Sequence, residues 1–139
     1  MFEVVIAIFI MALIIVGVVI LATNSIANST FSKNKTLAGR YTQEAIEWLR
    51  GQRDAGMTLF KEKVSPTPYC LDTLVWTNTG TCGDAEIVAG TTFKRQLNLT
   101  ESLISGKNVI EATVVVFWDD AKGNHEVRSV TNFTDIREK

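Results

Sequence analysis

Residues 4–22 read VVIAIFIMALIIVGVVILA, nineteen positions without a charge, an amide or a hydroxyl. Wound as an α-helix at about 1.5 Å per residue, the run is roughly 28 Å long, close to the hydrocarbon thickness of a bilayer. A core helix of a small globular domain carries a polar stripe, whereas this stretch is apolar on every side. It is rich in Val and Ile, which weakly disfavour helix in water. In lipid that preference is overridden, because every backbone N–H and C=O must be satisfied within the segment. The reading is a transmembrane helix. A secretory signal peptide fits less well, since no basic region precedes the run and no small-residue cleavage site follows Ala22.

Glu3 stands directly in front of the run, after Met1 and Phe2. A carboxylate at the edge of an apolar span is costly to bury without a partner, which marks it as a candidate functional group. The plainer reading is an acid favoured by the dipole at a helix N-terminus and left in the headgroup layer. Composition alone leaves both open.

Of the 139 residues, about twenty are assigned to lipid, which leaves one modest domain of roughly 85 to 115 residues. A net charge of −1 and a pI near 5.8 give no general attraction to nucleic acid or anionic lipid. Cys70 and Cys82 flank eleven residues rich in Thr, Asn and Gly. With His125 alone and distant they do not make a zinc site. A disulfide closing a surface loop places the domain outside the reducing cytoplasm; two free thiols are the alternative.

Beyond Ala22 the chain turns polar without proline, so the helix can continue. Leu37, Ala38, Tyr41, Ala45, Trp48 and Leu49 recur at three and four residues and form an apolar face. Arg40 with Glu44, and Glu47 with Arg50, are spaced to pair on the solvated side. The spacing predicts a single helix from about Phe2 to Arg53, apolar all round in residues 1–22 and amphipathic in residues 23–56. Gly51 and Gly56 bracket its end, and Met57 to Lys63 adds a turn before Pro66 and Pro68.

Residues 57–139 predict a loop-rich section followed by an antiparallel sheet. A short strand is expected at Leu74–Trp76, with turns at Asn78–Gly80 and Cys82–Asp84, and another strand at Phe93–Leu99. The clearest strand runs from Val109 to Trp118, with Ile110, Ala112, Val114, Val116 and Trp118 on one face and Glu111 and Thr113 on the other. Asp119 to Asn124 supplies a turn, and His125 to Phe133 returns as the antiparallel partner. A short charged tail follows. The fold class is α+β, with the amphipathic half of the helix packed on the C-terminal sheet.

Three stretches carry a family resemblance. Phe2-Glu3-Val4-Val5-Ile6-Ala7-Ile8-Phe9 resembles the N-terminus of type IV pilins and type II secretion pseudopilins, a Phe-x-x-x-Glu start leading into an apolar helix. Gln43 to Asp54, with Ala45, Arg50, Arg53 and Asp54, looks like the Ala-x-x-Ala-x-x-x-x-Arg-x-x-Arg-Asp region of minor pilins. Val114 to Trp118, Gly123-Asn124-His125, Val127, Val130-Thr131 and Asp135-Ile136-Arg137 look like the last hairpin of minor pilins. The family's glutamate stands fifth in the mature chain and Glu3 stands third. The resemblance therefore implies that this sequence begins a residue or two inside the mature protein, with a basic leader upstream.

The resemblance implies a pilin-like fold and a structural function, that of a minor subunit of a type IV pilus-like filament. Glu3, with Phe2 before it, would pair with the N-terminal ammonium of a neighbouring subunit. Val4, Val5, Ile6, Ile8, Phe9, Ile10, Leu13, Ile14, Val16 and Gly17 would lie in the bilayer before assembly and in the filament core afterwards. The implied partners are other pilin or pseudopilin subunits, prepilin peptidase, an inner-membrane assembly platform and the lipid bilayer. The implied location is the cell envelope, with the C-terminal domain outside the cytoplasm. A minor pseudopilin of a type II secretion system is the nearest alternative. A single-pass anchored binding domain that never polymerises is the alternative of another class.

Catalysis is not expected. A lone His125 beside a β-turn reads as a solvated strand-end residue, and neither a phosphate-cradling G-x-x-x-x-G-K nor an H-E-x-x-H metal motif occurs. Asp119, Asp120 and Asn124 offer few of the six to eight oxygens that calcium takes, so they read as turn residues; no metal or cofactor is expected. Asn28, Asn98 and Asn132 begin glycosylation sequons, a pattern short enough to arise by chance. Lys33, Lys35 and Arg40 cluster past the stem. A DNA-uptake pilin could use such charges on nucleic acid, but no aromatic stacking residues accompany them, and solvation of the emerging helix is the simpler role.

Overall fold

The computed structural model describes residues 2–104 and 107–134. Its elements in chain order are α1 (Phe2–Ala55), α2 (Met57–Lys61), β1 (Ser65–Cys70), β2 (Lys94–Ile104), β3 (Lys107–Asp120) and β4 (Gly123–Thr134). The four strands form one antiparallel sheet in the order β1-β2-β3-β4. The chain divides into two compact units, residues 1–36 and 37–139.

The first unit is helical throughout its described residues, and almost every side chain in it is exposed. The apolar run ends at a hydroxyl that costs the helix little. Thr23 Oγ1 donates back to the Val19 and Ile20 carbonyls at 3.1 and 2.9 Å, so this first polar side chain is already satisfied within the helix.

In the second unit the rest of α1 packs on one face of the sheet. Ala38, Ala45, Ile46 and Leu49 are buried, as is Thr42, whose hydroxyl donates to the Ala38 carbonyl at 2.8 Å. Leu37, Tyr41 and Trp48 flank this stripe, half-buried. The sheet answers with Leu97 and Leu99 of β2, with Ile110, Ala112, Val114, Val116 and Trp118 of β3, and with Phe133 of β4. Period-two alternation thus puts one row each of β2, β3 and β4 against the helix. Aromatic pairs knit the layers together, with ring centroids 5.4 Å apart for Tyr41 and Phe93 and 5.3 Å for Phe60 and Phe133.

Several expectations change. Leu74–Trp76 is not a strand but a bent segment, because Trp76 turns inward: its ring lies 4.6 Å from Trp48, and its indole N–H donates to Gln52 Oε1 at 3.0 Å. A strand stands instead at Ser65–Cys70, where Pro66 and Pro68 argue against one. Proline is tolerated there because β1 is an edge strand, and the ladder shifts register between Ser65 and Tyr69. The end of α1 at Ala55 does fall between Gly51 and Gly56 as expected, with the break at Gly56. Glu44 pairs with Arg95 of β2 at 2.8 Å rather than with Arg40, whereas Glu47 and Arg50 pair as their spacing predicts. The β3–β4 turn is tighter than expected, with Asp120 opposite Gly123, whose φ of +119° suits glycine. Asp135, Ile136 and Arg137 of the tail lie outside the described residues.

Candidate functional site

Among the described residues, those expected from the sequence to be functional lie along a surface and at one loop. Glu3 is in the first turn of α1, exposed, where the dipole favours an acid. Phe2 before it is 81% exposed. Val4, Val5, Ile6, Ile8, Phe9, Ile10, Leu13, Ile14, Val16 and Gly17 follow on the same helix, all exposed, and together they face every direction around its axis. The helix is long and apolar enough to cross a membrane, and none of its most apolar window is buried within the protein. A cylinder of this kind is stable only where something other than water covers it, either lipid or other apolar helices.

Cys70 and Cys82 form a disulfide, with S–S 2.02 Å and Cα atoms 5.0 Å apart. The bond brackets a segment that closes the outer edge of β1. Cys70 N–H donates to the Asn78 carbonyl at 3.0 Å, and Gly80 N–H donates to Pro68 at 2.7 Å. The segment therefore covers a ladder edge that would otherwise be a template for another strand.

The sequence reading overlooked the residue that this loop shares with the helix. Arg95 is 2% exposed. Its Nε donates to the Leu71 carbonyl at 2.9 Å, and its Nη1 donates to the Tyr41 carbonyl at 3.2 Å and to Glu44 Oε2 at 2.8 Å. Its own backbone accepts from Leu71 N–H at 2.8 Å, and its carbonyl lies 3.3 Å from Cys82 Sγ. One guanidinium thus ties helix, inner strand and disulfide loop together, as its fixed fork of donors permits. The signal was present in the alternation: Phe93, Arg95, Leu97 and Leu99 share a parity, and that parity is the buried one.

Beside the end of α1 lies a cleft of about 210 Å³, walled by Gln52, Ala55, Leu59, Phe60, Lys63 and Trp76. Tyr69 supports it from behind, its ring 5.2 Å from Trp76 and its hydroxyl donating to the Lys63 carbonyl at 2.8 Å. Burial raises that phenol's pKa.

His125 is not the solvated residue expected. Its side chain is only 22% exposed, its Nε2 is 3.0 Å from Asp120 Oδ1, and its ring packs 5.4 Å from Trp118. Asp120 also accepts from Lys122 N–H at 2.7 Å, and Asn124 donates to Asp119 at 3.0 Å. The Lys122 amide first, then His125, hold the Asp120 carboxyl below the usual carboxylate range. These bonds lock a turn. Lys33, Lys35 and Arg40 are exposed, as solvation of the helix requires. Comparison of the chain with protein-family models, curated proteins and solved structures finds no match.

Proposed function

We propose that this chain is a structural subunit, of the minor kind, of a type IV pilus-like filament. Before assembly its stem holds it in the membrane of the cell envelope, with the second unit outside the cytoplasm. After assembly the same stem packs against neighbouring stems. The observation that carries this reading is a helix apolar and exposed on every side, headed by an acid that no single membrane anchor needs. A uniform surface serves two apolar surroundings in turn, lipid first and other helices afterwards. Small residues such as Gly17, with nothing near its Cβ position, leave room for a neighbouring backbone. Glu3 would set the axial register by pairing with a neighbour's N-terminal ammonium. The disulfide supports an oxidising location for the second unit, and the partners would be other subunits of the filament and the platform and peptidase that process them.

The test is quantitative mass spectrometry of sheared surface filaments from cells carrying the wild-type chain or Glu3→Leu. The wild type is expected at trace ratio with an N-methylated first residue. The variant is expected to insert in membranes normally but to be depleted from filaments. Absence of the wild type from filaments while it is abundant in membranes would overturn the proposal.

A further inference from the structure

Three stretches fit the pattern that accepts sugar on an asparagine: Asn28-Ser29-Thr30, Asn98-Leu99-Thr100 and Asn132-Phe133-Thr134, none with proline in the middle. A three-residue pattern carries little by itself, but the fold sorts the three. Recognition of such a site reads the amide together with the hydroxyl two residues on, so both must present to one side. In α1 they do not, because two residues turn a helix by about 200° and send Asn28 and Thr30 to opposite sides. A strand does the reverse, since residues two apart share a face. Asn98 with Thr100 on β2, and Asn132 with Thr134 on β4, stand on the face turned away from α1. Leu99 and Phe133, the middle residues, point to the helix side and are each 1% exposed.

Access separates the two strand sites. β2 lies between β1 and β3, and Asn98 is half-buried. β4 is an edge strand, and Asn132 and Thr134 are both exposed. Phe133 anchors the strand beneath them, its ring 5.3 Å from that of Phe60 and 5.6 Å from the Arg53 guanidinium carbon. We propose that Asn132 is an N-glycosylation site, its amide nitrogen accepting an oligosaccharide from a donor carried on a polyprenyl phosphate.

In the transfer, Asn132 Nδ2 forms a bond to the anomeric carbon of the first sugar, and the bond from that carbon to the donor's phosphate oxygen breaks. The phosphate leaves with the electron pair, the proton lost from the amide passes to a base of the transferase, and nothing is oxidised or reduced. The surroundings suit a sugar. Thr100, Glu111 and Asn132 lie level across three strands, all exposed, so this row offers a hydroxyl and a carboxylate to sugar hydroxyls. Beside Asn132 on the same face, Val130 is 52% exposed. A bulky hydrophilic group at Asn132 shields that apolar side chain and hinders other strands from adding to the β4 edge. At the opposite edge of the sheet, the disulfide loop and the prolines of β1 serve that purpose. The inference rests on the proposed location of the second unit outside the cytoplasm and does not require a filament.

The experiment takes the full chain from the membranes of its native cells and reads the peptide that contains Asn132 by mass spectrometry with fragmentation. The expected result is a saccharide mass on Asn132 in the wild type. It should be lost in Asn132→Gln and in Thr134→Ala, and kept in Thr134→Ser and in Asn98→Gln. Rescue by serine at position 134 reads recognition of the hydroxyl, which a merely structural role would not require. A bare Asn132 in the wild type, or a saccharide on Asn28 or Asn98 in its place, overturns the proposal. The state of Cys70 and Cys82 is read from the same digest. Bare Asn132 beside bonded cysteines refutes the glycan and leaves the location standing, whereas bare Asn132 beside free thiols refutes both. Filaments are sheared from the same cells: a glycosylated chain absent from them would refute the filament reading and leave this site standing.

Discussion

Replacing Arg95 by Met tests whether the buried guanidinium latches the helix to the sheet. The change removes donors to the Leu71 and Tyr41 carbonyls and to Glu44, at 2.9, 3.2 and 2.8 Å. Hydrogen bonds from a charged donor contribute about 1.5–3 kcal/mol each, so the two carbonyl contacts carry most of the effect. The Glu44 side chain is 53% exposed, and its pair must be discounted for solvent to under about 1 kcal/mol. Against these losses stands the relief of no longer burying a cation, which can offset several kcal/mol when an apolar residue fills the space. The balance for Arg95→Met is a loss of about 1–3 kcal/mol, or roughly 5–15 °C in Tm for a domain of this size. Glu44→Gln should cost below about 1 kcal/mol, because the carbonyls still hold the guanidinium. The assay is denaturant and thermal unfolding of the full chain in detergent micelles. Tryptophan fluorescence serves as the probe, since Trp48, Trp76 and Trp118 all lie in the second unit. If Glu44→Gln destabilises as much as Arg95→Met, the ion pair and not the carbonyl clamp is the main contact. If Arg95→Met is neutral or stabilising, the latch contributes nothing.

Further outcomes follow from single features. Reducing the Cys70–Cys82 bond, or replacing both residues by Ser, should cost about 2–3 kcal/mol for a loop of this length and speed amide exchange in residues 71–82; unchanged exchange would refute its bracketing role. Gly51→Ala should stabilise by about 0.5–1 kcal/mol, because the position is helical, exposed and has nothing within 4 Å of a new Cβ; a loss on unfolding analysis would mean that the exposed face is packed against something. Gly123→Ala should instead destabilise by about 1 kcal/mol, since φ is +119° there, and equal stability in the same assay would count against a strained turn. Asp120 is held more acidic in the folded protein than in the unfolded chain, so its contribution is complete above the unfolded value of about 3.9 and is lost as pH falls through the lower folded one. Asp120→Asn should therefore flatten the stability profile below about pH 4, and an unaltered acid limb would exclude the turn as its source.

The parts of the molecule that were legible differ in kind from those that were not. The β3–β4 hairpin could be read because alternation from Ile110 to Trp118 and the turn residues after it are local signals, and both strands stand where that pattern puts them. The face of α1 was legible through Ala38, Ala45 and Leu49 for the same reason. Trp76 was misread because a lone apolar triplet does not reveal whether its side chains meet a neighbouring strand or fold into a cluster. β1 was missed because Pro66 and Pro68 are breakers everywhere except at a sheet edge, and which strand is the edge is a property of the whole sheet.

The sequence by itself determined the stem. Nineteen apolar residues in a row suit a bilayer wherever they occur, since a helix in lipid satisfies its backbone internally and needs no distant partner. The cysteine pairing was likewise within reach, two thiols in one turn-rich loop. Only the tertiary structure decided where Arg95 goes. Its partners lie 24, 51 and 54 residues away along the chain. A cation on the apolar parity of a strand is a contradiction until the carbonyls of a helix and a loop are brought to it. That requires long-range packing to have formed first, because no local preference of the chain can pair a charge with groups it has not yet met.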